Sequence, residues 1–199
     1  HKNIAFELVD QTTNRAKRIG AINIIRREKS GKLLGDMTDG LGFISALQLN
    51  GLSVTGKNIG LIGGGGAGSA IADAIAEANA KHLSIVEIDP IKRDMLISKL
   101  KKQYPTLSLD NAINHPENID ILINSSPIGM NSYDPLPISL AEFRSKIMVA
   151  DSITEPNFTP FLRHAKNNGC FIQKGNEMAD AQLPIFIDFL GIPSDKVSP

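Results

Sequence analysis

Cysteine is almost absent from this 199-residue chain. The single Cys170 excludes an intramolecular disulfide and fits a reducing compartment. It has no adjacent base, and its Gly169-Cys170-Phe171-Ile172 setting reads as the start of a buried strand, so a core role is expected rather than a catalytic thiol. Net charge is missing too: 21 basic residues balance 21 acidic ones, and no basic stretch interleaves with aromatics. Nucleic acid is therefore not an expected partner. No apolar run approaches the roughly 20 residues that cross a bilayer, and no signal peptide is visible, so the expectation is a cytoplasmic protein with no membrane partner. The four histidines, His1, His82, His115 and His164, fall in separate segments without a second His or Cys at ligand spacing, so no metal site is expected. Repeats and low-complexity stretches are lacking. So is an initiator Met: the chain opens His1-Lys2, as a fragment with a missing upstream part would. What remains, 42% hydrophobic and 21% charged, suits one globular domain plus part of a second.

Glycine, by contrast, is concentrated where it carries meaning. Gly63-Gly64-Gly65-Gly66-Ala67-Gly68 follows the strand-like Asn58-Ile59-Gly60-Leu61-Ile62 and precedes a small, helix-prone run from Ser69 to Ala76. Strand, glycine turn and helix start describe a dinucleotide-binding βα turn, in which backbone approaches a pyrophosphate and helix N-terminal amides meet its charge. A second strand, Leu83 to Glu87, ends in an acid 19 positions after Gly68, where a ribose-binding carboxylate is expected roughly 20 residues on. Glu87 would accept from the ribose 2′-OH and repel a 2′-phosphate, so NAD is expected over NADP.

Alternating patterns organise the rest. Residues 3–18 read as one amphipathic helix, 21–25 as a strand, and Lys29-Ser30-Gly31-Lys32 as a hairpin turn; a helix follows Thr38-Asp39-Gly40. Strands are expected at 58–62, 82–87, 106–109, 120–124, 147–151 and 170–173, and helices at 66–79, 91–103, 139–143 and 158–168. A last helix runs from Glu177 through Leu190, with Pro184 awkward inside it. The pattern implies an α/β fold: a doubly wound parallel Rossmann-type sheet plus part of a smaller α/β substrate domain. The expected division is 39–175 for the nucleotide domain, with 1–38 and the returning 176–199 forming the partial substrate domain.

Chemistry beyond cofactor binding requires a group to move a hydroxyl proton and others to orient a substrate. Four segments suit this: Lys2; Ile19-Gly20-Ala21-Ile22-Asn23; Met37-Thr38-Asp39-Gly40; and Asn124-Ser125-Ser126-Pro127-Ile128-Gly129-Met130, which leaves a central strand where open α/β sheets bind ligands.

At these residues the chain resembles the shikimate/quinate dehydrogenase family, over essentially its whole length and in colinear order. The family's Pro-x-Lys, Gly-Ala-Val-Asn-Thr and Asn-Thr-Asp-Gly segments are similar to His1-Lys2, Gly20 through Ile24, and Met37 through Gly40. Its Gly-Ala-Gly-Gly-Ala turn resembles Gly63 through Ala67, and its Asn-Thr-Thr-Pro-x-Gly-Met resembles Asn124 through Met130. Asp151, Pro156, Thr159 and Pro160 echo a further motif, and Gly175, Met178 and Gln182 match Gly-x-x-Met-x-x-x-Gln.

The resemblance implies NAD(P)-dependent transfer of a hydride to or from a cyclic hydroxy acid such as shikimate or quinate, in aromatic amino-acid biosynthesis, by a monomer or homodimer. Lys2 and Asp39 would be the catalytic pair, closing on the nicotinamide by domain movement, and Asn23 and Gln182 would bind ring hydroxyls. Gly63, Gly64, Gly65, Gly66, Ala67 and Glu87 would hold the dinucleotide, with Ser126, Pro127, Met130 and Gly175 on the nicotinamide side. Four departures stand out: Met37 for Asn, Thr154 for Tyr, Glu177 for Gly, and Ile88 where NADP-preferring members carry Arg. The family's Ser-x-Ser clamp lies upstream of Lys2. The first three departures leave open another hydroxy acid or an amino-shikimate as substrate, and a module that binds NAD without turnover also remains open.

Overall fold

The computed structural model describes residues 2–144 and 146–193. His1 and the last six residues of the returning segment lie outside the described residues.

The N-terminal part is not the single helix that its periodicity suggests. Helix α1 (Lys2–Glu7) stops, strand β1 (Gln11–Thr12) pairs in parallel with β3 (Leu33–Asp36), and helix α2 (Asn14–Ile19) starts anew. The β-branched Val9, Thr12 and Thr13 disfavour helix through the break, and Thr13 caps α2, its hydroxyl accepting from Ala16 N at 3.2 Å. Strand β2 (Ile24–Arg27) starts three residues later than expected and forms the predicted hairpin with β3 around Gly31. These strands make a small sheet in the order β1-β3-β2.

Helix α3 (Asp39–Leu49) leads to a six-stranded, wholly parallel sheet. Its strands are β4 (Asn58–Ile62), β5 (His82–Val86), β6 (Ser108–Asp110), β7 (Ile121–Asn124), β8 (Met148–Asp151) and β9 (Phe171–Gln173), in the spatial order β6-β5-β4-β7-β8-β9. Renumbered from β4, that is the 3-2-1-4-5-6 order of the doubly wound fold, whose chain reverses direction of travel between β4 and β7. The strands are near-continuous apolar runs because helices cover both faces. On one face Ile59, Leu61 and Ile123 pack against Phe43 of α3, Ile71 of α4 (Gly66–Glu77), Leu100 of α5 (Pro90–Gln103) and Met178. On the other, Leu122 and Val149 meet Phe161 and Leu162 of α6 (Pro160–Asn167).

The expected helix at 139–143 does not form. Pro135 and Pro137 remove two backbone donors just upstream, and the segment stays irregular while Leu136, Leu140 and Phe143 still fill the second core. Helix α7 (Gly175–Leu190) accommodates Pro184 and packs along α3. Among the described residues, Gln173 is fully buried with neither amide atom hydrogen-bonded, and the buried Ser125 hydroxyl also lacks a partner.

Candidate active site

Asp39 opens α3 and is buried, and three side chains from three distant segments converge on it. The Lys2 ammonium pairs with its Oδ2. The Asn23 amide donates to Oδ1 at 2.7 Å, and the Gln182 amide donates to the same oxygen at 3.0 Å. Lys2, Asn23, Asp39 and Gln182, predicted separately, therefore form one cluster. Both amides take Asp39 as their partner, so their first task is to hold the carboxylate. The Asn23 carbonyl oxygen accepts from Thr38 N at 3.0 Å and from the Thr38 hydroxyl at 3.2 Å. Thr38 is a residue that sequence reasoning missed; its Thr-Asp-Gly neighbours were the available signal.

Why the cluster sits here is visible in the packing. A Cβ on Gly40 would come within 2.2 Å of the Ala70 carbonyl oxygen of α4, and one on Gly42 within 2.2 Å of Gln182 Cγ. The two glycines thus let α3 press against α4 and α7 together, delivering Gln182 to Asp39. Lys2 is held by its own carbonyl, which accepts from Ile22 N at 3.1 Å.

The glycine turn lies beside this cluster. Gly63 has φ 95°, left-handed backbone open to glycine, and a Cβ there would meet the Ser125 backbone at 2.7 Å. Gly65 has nothing within 4 Å of a built Cβ, and at Gly66 only the Lys2 stem approaches, with Cδ at 3.6 Å. The amides at the start of α4 are therefore open to an anion, and Lys2 lies between them and Asp39. Glu87 follows β5, half-buried, and braces this turn: Oε2 accepts from Gly64 N at 2.7 Å and Oε1 from Asp89 N at 3.0 Å. Ile88 points fully into solvent, 99% exposed.

The loop after β7 is held from below. The Asn124 amide donates to the Ile128 carbonyl at 3.0 Å, and its oxygen accepts from the Ser126 hydroxyl at 2.7 Å. Pro127 and Met130 are left exposed on that loop. Buried Asp151 accepts from the Thr159 hydroxyl at 2.8 Å, Ile153 N at 3.0 Å and the Asn124 amide at 3.3 Å. Gly175 presses on Ile153, where a Cβ would lie 2.1 Å from the carbonyl oxygen.

Burial pushes the Asp151 carboxyl up to about 6 despite those donors. Between about pH 4 and 6 the folded chain holds a proton that the unfolded chain has released, so this group favours folding most at low pH. Its contribution falls by about 3 kcal/mol as pH rises through 6. The unfolding free energy of the parent minus that of Asp151→Asn should decline over this range; a pH-independent difference would remove Asp151 as the cause.

Two departures take no part in the hydrogen bonds around Asp39. Met37 is fully buried in a small core with Ala16, Ala21, Ile22 and Ala70. Glu177 accepts from Asn50 at 3.0 Å, at the other end of α3, about 16 Å along the helix from Asp39. Thr154 is exposed. Among the described residues no group of three His, Cys, Asp or Glu side chains could hold a metal ion, and no helix is long and apolar enough to cross a membrane.

The strand order defines a Rossmann-type doubly wound fold, with a lysine–aspartate pair beside its glycine turn. No family model matches the chain. Shikimate dehydrogenase (NADP(+)) of Bacillus cereus (strain B4264) is 33% identical over 182 residues, covering 89% of this chain; the chain spans 65% of that curated relative's length. Among solved structures, the ligand-free 5-ketofructose reductase of Gluconobacter sp. strain CHM43 superposes with a TM-score of 0.84 at 32% identity, over 96% of this chain and 70% of that one. Shikimate 5-dehydrogenase from Thermus thermophilus, in complex with NADP(H) and shikimate, superposes at 0.83 and 27% identity, over 96% and 70%. The chain is thus similar, over most of its own length, to shikimate dehydrogenases and to solved structures of that kind.

Proposed function

We propose that this chain carries the cofactor site and catalytic pair of an NAD(P)-dependent oxidoreductase acting on a cyclic hydroxy acid of the shikimate or quinate type. One observation carries the reading: Lys2, Asn23 and Gln182 meet at Asp39 directly beside the open glycine turn. Residues 1–38 and 176–199 would form the substrate lobe and 39–175 the cofactor lobe.

The cradle fits a dinucleotide, since the α4 N-terminus is unobstructed where a pyrophosphate needs close backbone approach. Gly63, Gly64, Gly65, Gly66 and Ala67 would hold it, with Ser126, Pro127, Met130 and Gly175 toward the nicotinamide. When bound, that ring accepts or supplies the hydride. The Lys2 ammonium donates a hydrogen bond to the reacting oxygen, stabilises developing alkoxide charge, and exchanges the hydroxyl proton. Asp39 orients that ammonium, and the Asn23 and Gln182 amides fix Asp39. The second amide hydrogen of Gln182 remains to meet a ring hydroxyl, whereas that of Asn23 reaches Thr38 Oγ1 at 3.1 Å and would have to exchange that partner for the substrate. Turnover of shikimate and quinate by the purified protein, followed through reduced nicotinamide with each cofactor, tests the reading; no turnover of either acid would defeat it.

Glu87 favours NAD in this reading, although the Bacillus relative is named for NADP(+). Its carboxylate, which accepts from Gly64 N of the turn, would meet the ribose 2′-OH, and exposed Ile88 would offer no cation to a 2′-phosphate. Glu87→Arg should shift the NADP/NAD ratio of kcat/KM upward by about a hundredfold, two or three kcal/mol of exchanged repulsion and attraction. An unchanged ratio would mean that Glu87 serves only as the brace of Gly64.

A second reading keeps the chemistry and changes the substrate to another hydroxy or keto compound. It is favoured by the 32% identity to a protein named 5-ketofructose reductase and by exposed Thr154 in place of a tyrosine. Substrate profiling separates the two.

A further inference from the structure

The site does not use a second, forked ion pair between the two parts of the chain. Arg18, on α2 beside the small sheet, grips Asp73 of α4: Nε lies 3.1 and 3.2 Å from the two carboxylate oxygens and Nη2 lies 2.8 Å from Oδ2. The Tyr104 hydroxyl, just beyond α5, donates to Asp73 Oδ1 at 2.9 Å, and Arg18 Nη2 reaches Glu77 at 3.3 Å. Burial, with Asp73 beside it, pushes the Tyr104 phenol upward, so it remains a donor. The Asp73 side chain is only 8% exposed.

We propose that Arg18 and Asp73 are positioning residues, whose forked ion pair sets the register of the Lys2-bearing lobe on the glycine-turn helix before any ligand binds. The proposal rests on the dehydrogenase reading for its effect on turnover, and on geometry alone for its effect on the lobes.

Two contacts fix that register. Lys2 lies over Gly66 at the start of α4, and Arg18 holds Asp73 about 10 Å further along the helix. Between them Ala70, one turn before Asp73 on the same face, completes the small core of Ala16, Ala21, Ile22 and Met37. The apolar contact alone would permit sliding or rotation about one point. A second attachment removes that freedom, and a two-toothed guanidinium–carboxylate pair fixes orientation as well as distance. Stability does not explain the pair: well-packed apolar residues of similar size commonly serve as well or better, whereas removal of one partner leaves a buried charge uncompensated. What an apolar substitute does not reproduce is the direction of the contact. Arg18 and Asp73 also wall a cleft of about 670 Å³ that runs to Gly64 and Gly66, so slippage there alters the distance from Lys2 to the cradle.

The test uses the full chain with Cys170→Ser and spin labels introduced at Lys29→Cys and Lys101→Cys, both exposed, one on each part. Pulsed dipolar spectroscopy reads the spread of lobe–lobe distances, and steady-state kinetics with separately measured dinucleotide affinity reads function. Arg18→Met should broaden the distribution and lower kcat about tenfold, as expected for a small misplacement of a catalytic group, with dinucleotide Kd changed less than about twofold. The apolar pair Arg18→Met/Asp73→Leu should recover the melting temperature yet keep the broad distribution and the low kcat. If that pair restores the parental distribution and rate, or if Arg18→Met leaves both unchanged, the positioning role is overturned. Should Arg18→Met fail to fold, Tyr104→Phe, which withdraws one hydrogen bond from Asp73 and leaves the charges in place, is read the same way: a parental distribution sinks the proposal. A parent without turnover on any hydroxy acid would fail the functional reading, while the label distances still decide the clamp.

Discussion

Lys2→Ala is expected to lower kcat by about a thousandfold, within the range that a positioned acid–base group contributes, while leaving dinucleotide affinity within about twofold of the parent. The split follows from where Lys2 lies. Its stem passes over Gly66 without covering the amides of the turn, and its ammonium is engaged by Asp39. Removing it takes away the hydrogen-bond donor for the reacting oxygen but none of the backbone that faces a pyrophosphate. The Asn23 and Gln182 amides keep Oδ1 of Asp39 bonded after the lysine is gone, while Oδ2 loses its ammonium, so a loss of stability should accompany the loss of turnover. Steady-state kinetics together with a fluorescence titration of the reduced dinucleotide separates the two effects. Undiminished turnover would exclude Lys2 from the chemistry; a parallel loss of affinity would make it a cofactor ligand instead.

Gly40→Ala is expected to be among the most damaging single-methyl changes in the molecule. The added carbon would meet the Ala70 oxygen at 2.2 Å and Ala74 Cβ at 2.7 Å, both on the packed face of α4 and neither at the end of a flexible side chain. Overpacking of this kind costs about 3 kcal/mol, which for a chain of this size lowers the melting temperature by roughly 6–12 °C. Gly40 directly follows Asp39, so relief of the clash moves the carboxylate away from Lys2. Even the fraction that stays folded should turn over as much as a hundredfold more slowly, as expected for misplacement by about 1 Å. Calorimetry and kinetics on the same preparation check both parts; a parental melting temperature would show that α3 can lift from α4 at little cost.

Much of this was legible in the residues, for a physical reason. Parallel strands buried on both faces are written as short apolar runs, and β4 through β9 fall within a residue or two of where those runs lie. The glycine turn is legible because Gly63 takes left-handed backbone and Gly68 has no room for a Cβ against the Gly63 carbonyl. Local pattern fails where tertiary pairing decides. Residues 3–18 have helical periodicity, yet Gln11 and Thr12 are claimed by β3, more than twenty positions away. Residues 139–143 are apolar enough for a helix face, but that face is used by an irregular segment behind two prolines. In the site, Lys2, Asn23, Asp39 and Gln182 were identifiable by motif, but their common meeting point was not, because it depends on the approach of α3 to α7 that Gly42 permits. Arg18 and Asp73 were invisible: two ordinary charges on two helices acquire meaning only when the helices touch.

The hydrogen bond from Gln182 to Asp39 joins residues 143 positions apart. During translation Lys2, Asn23 and Asp39 leave the ribosome ahead of the six-stranded sheet, and the whole of that sheet must follow before Gln182 emerges to complete their surroundings. A nascent chain halted anywhere within that sheet would hold a carboxylate lacking one of its supports, so competence at this centre arrives only after the sheet has been made.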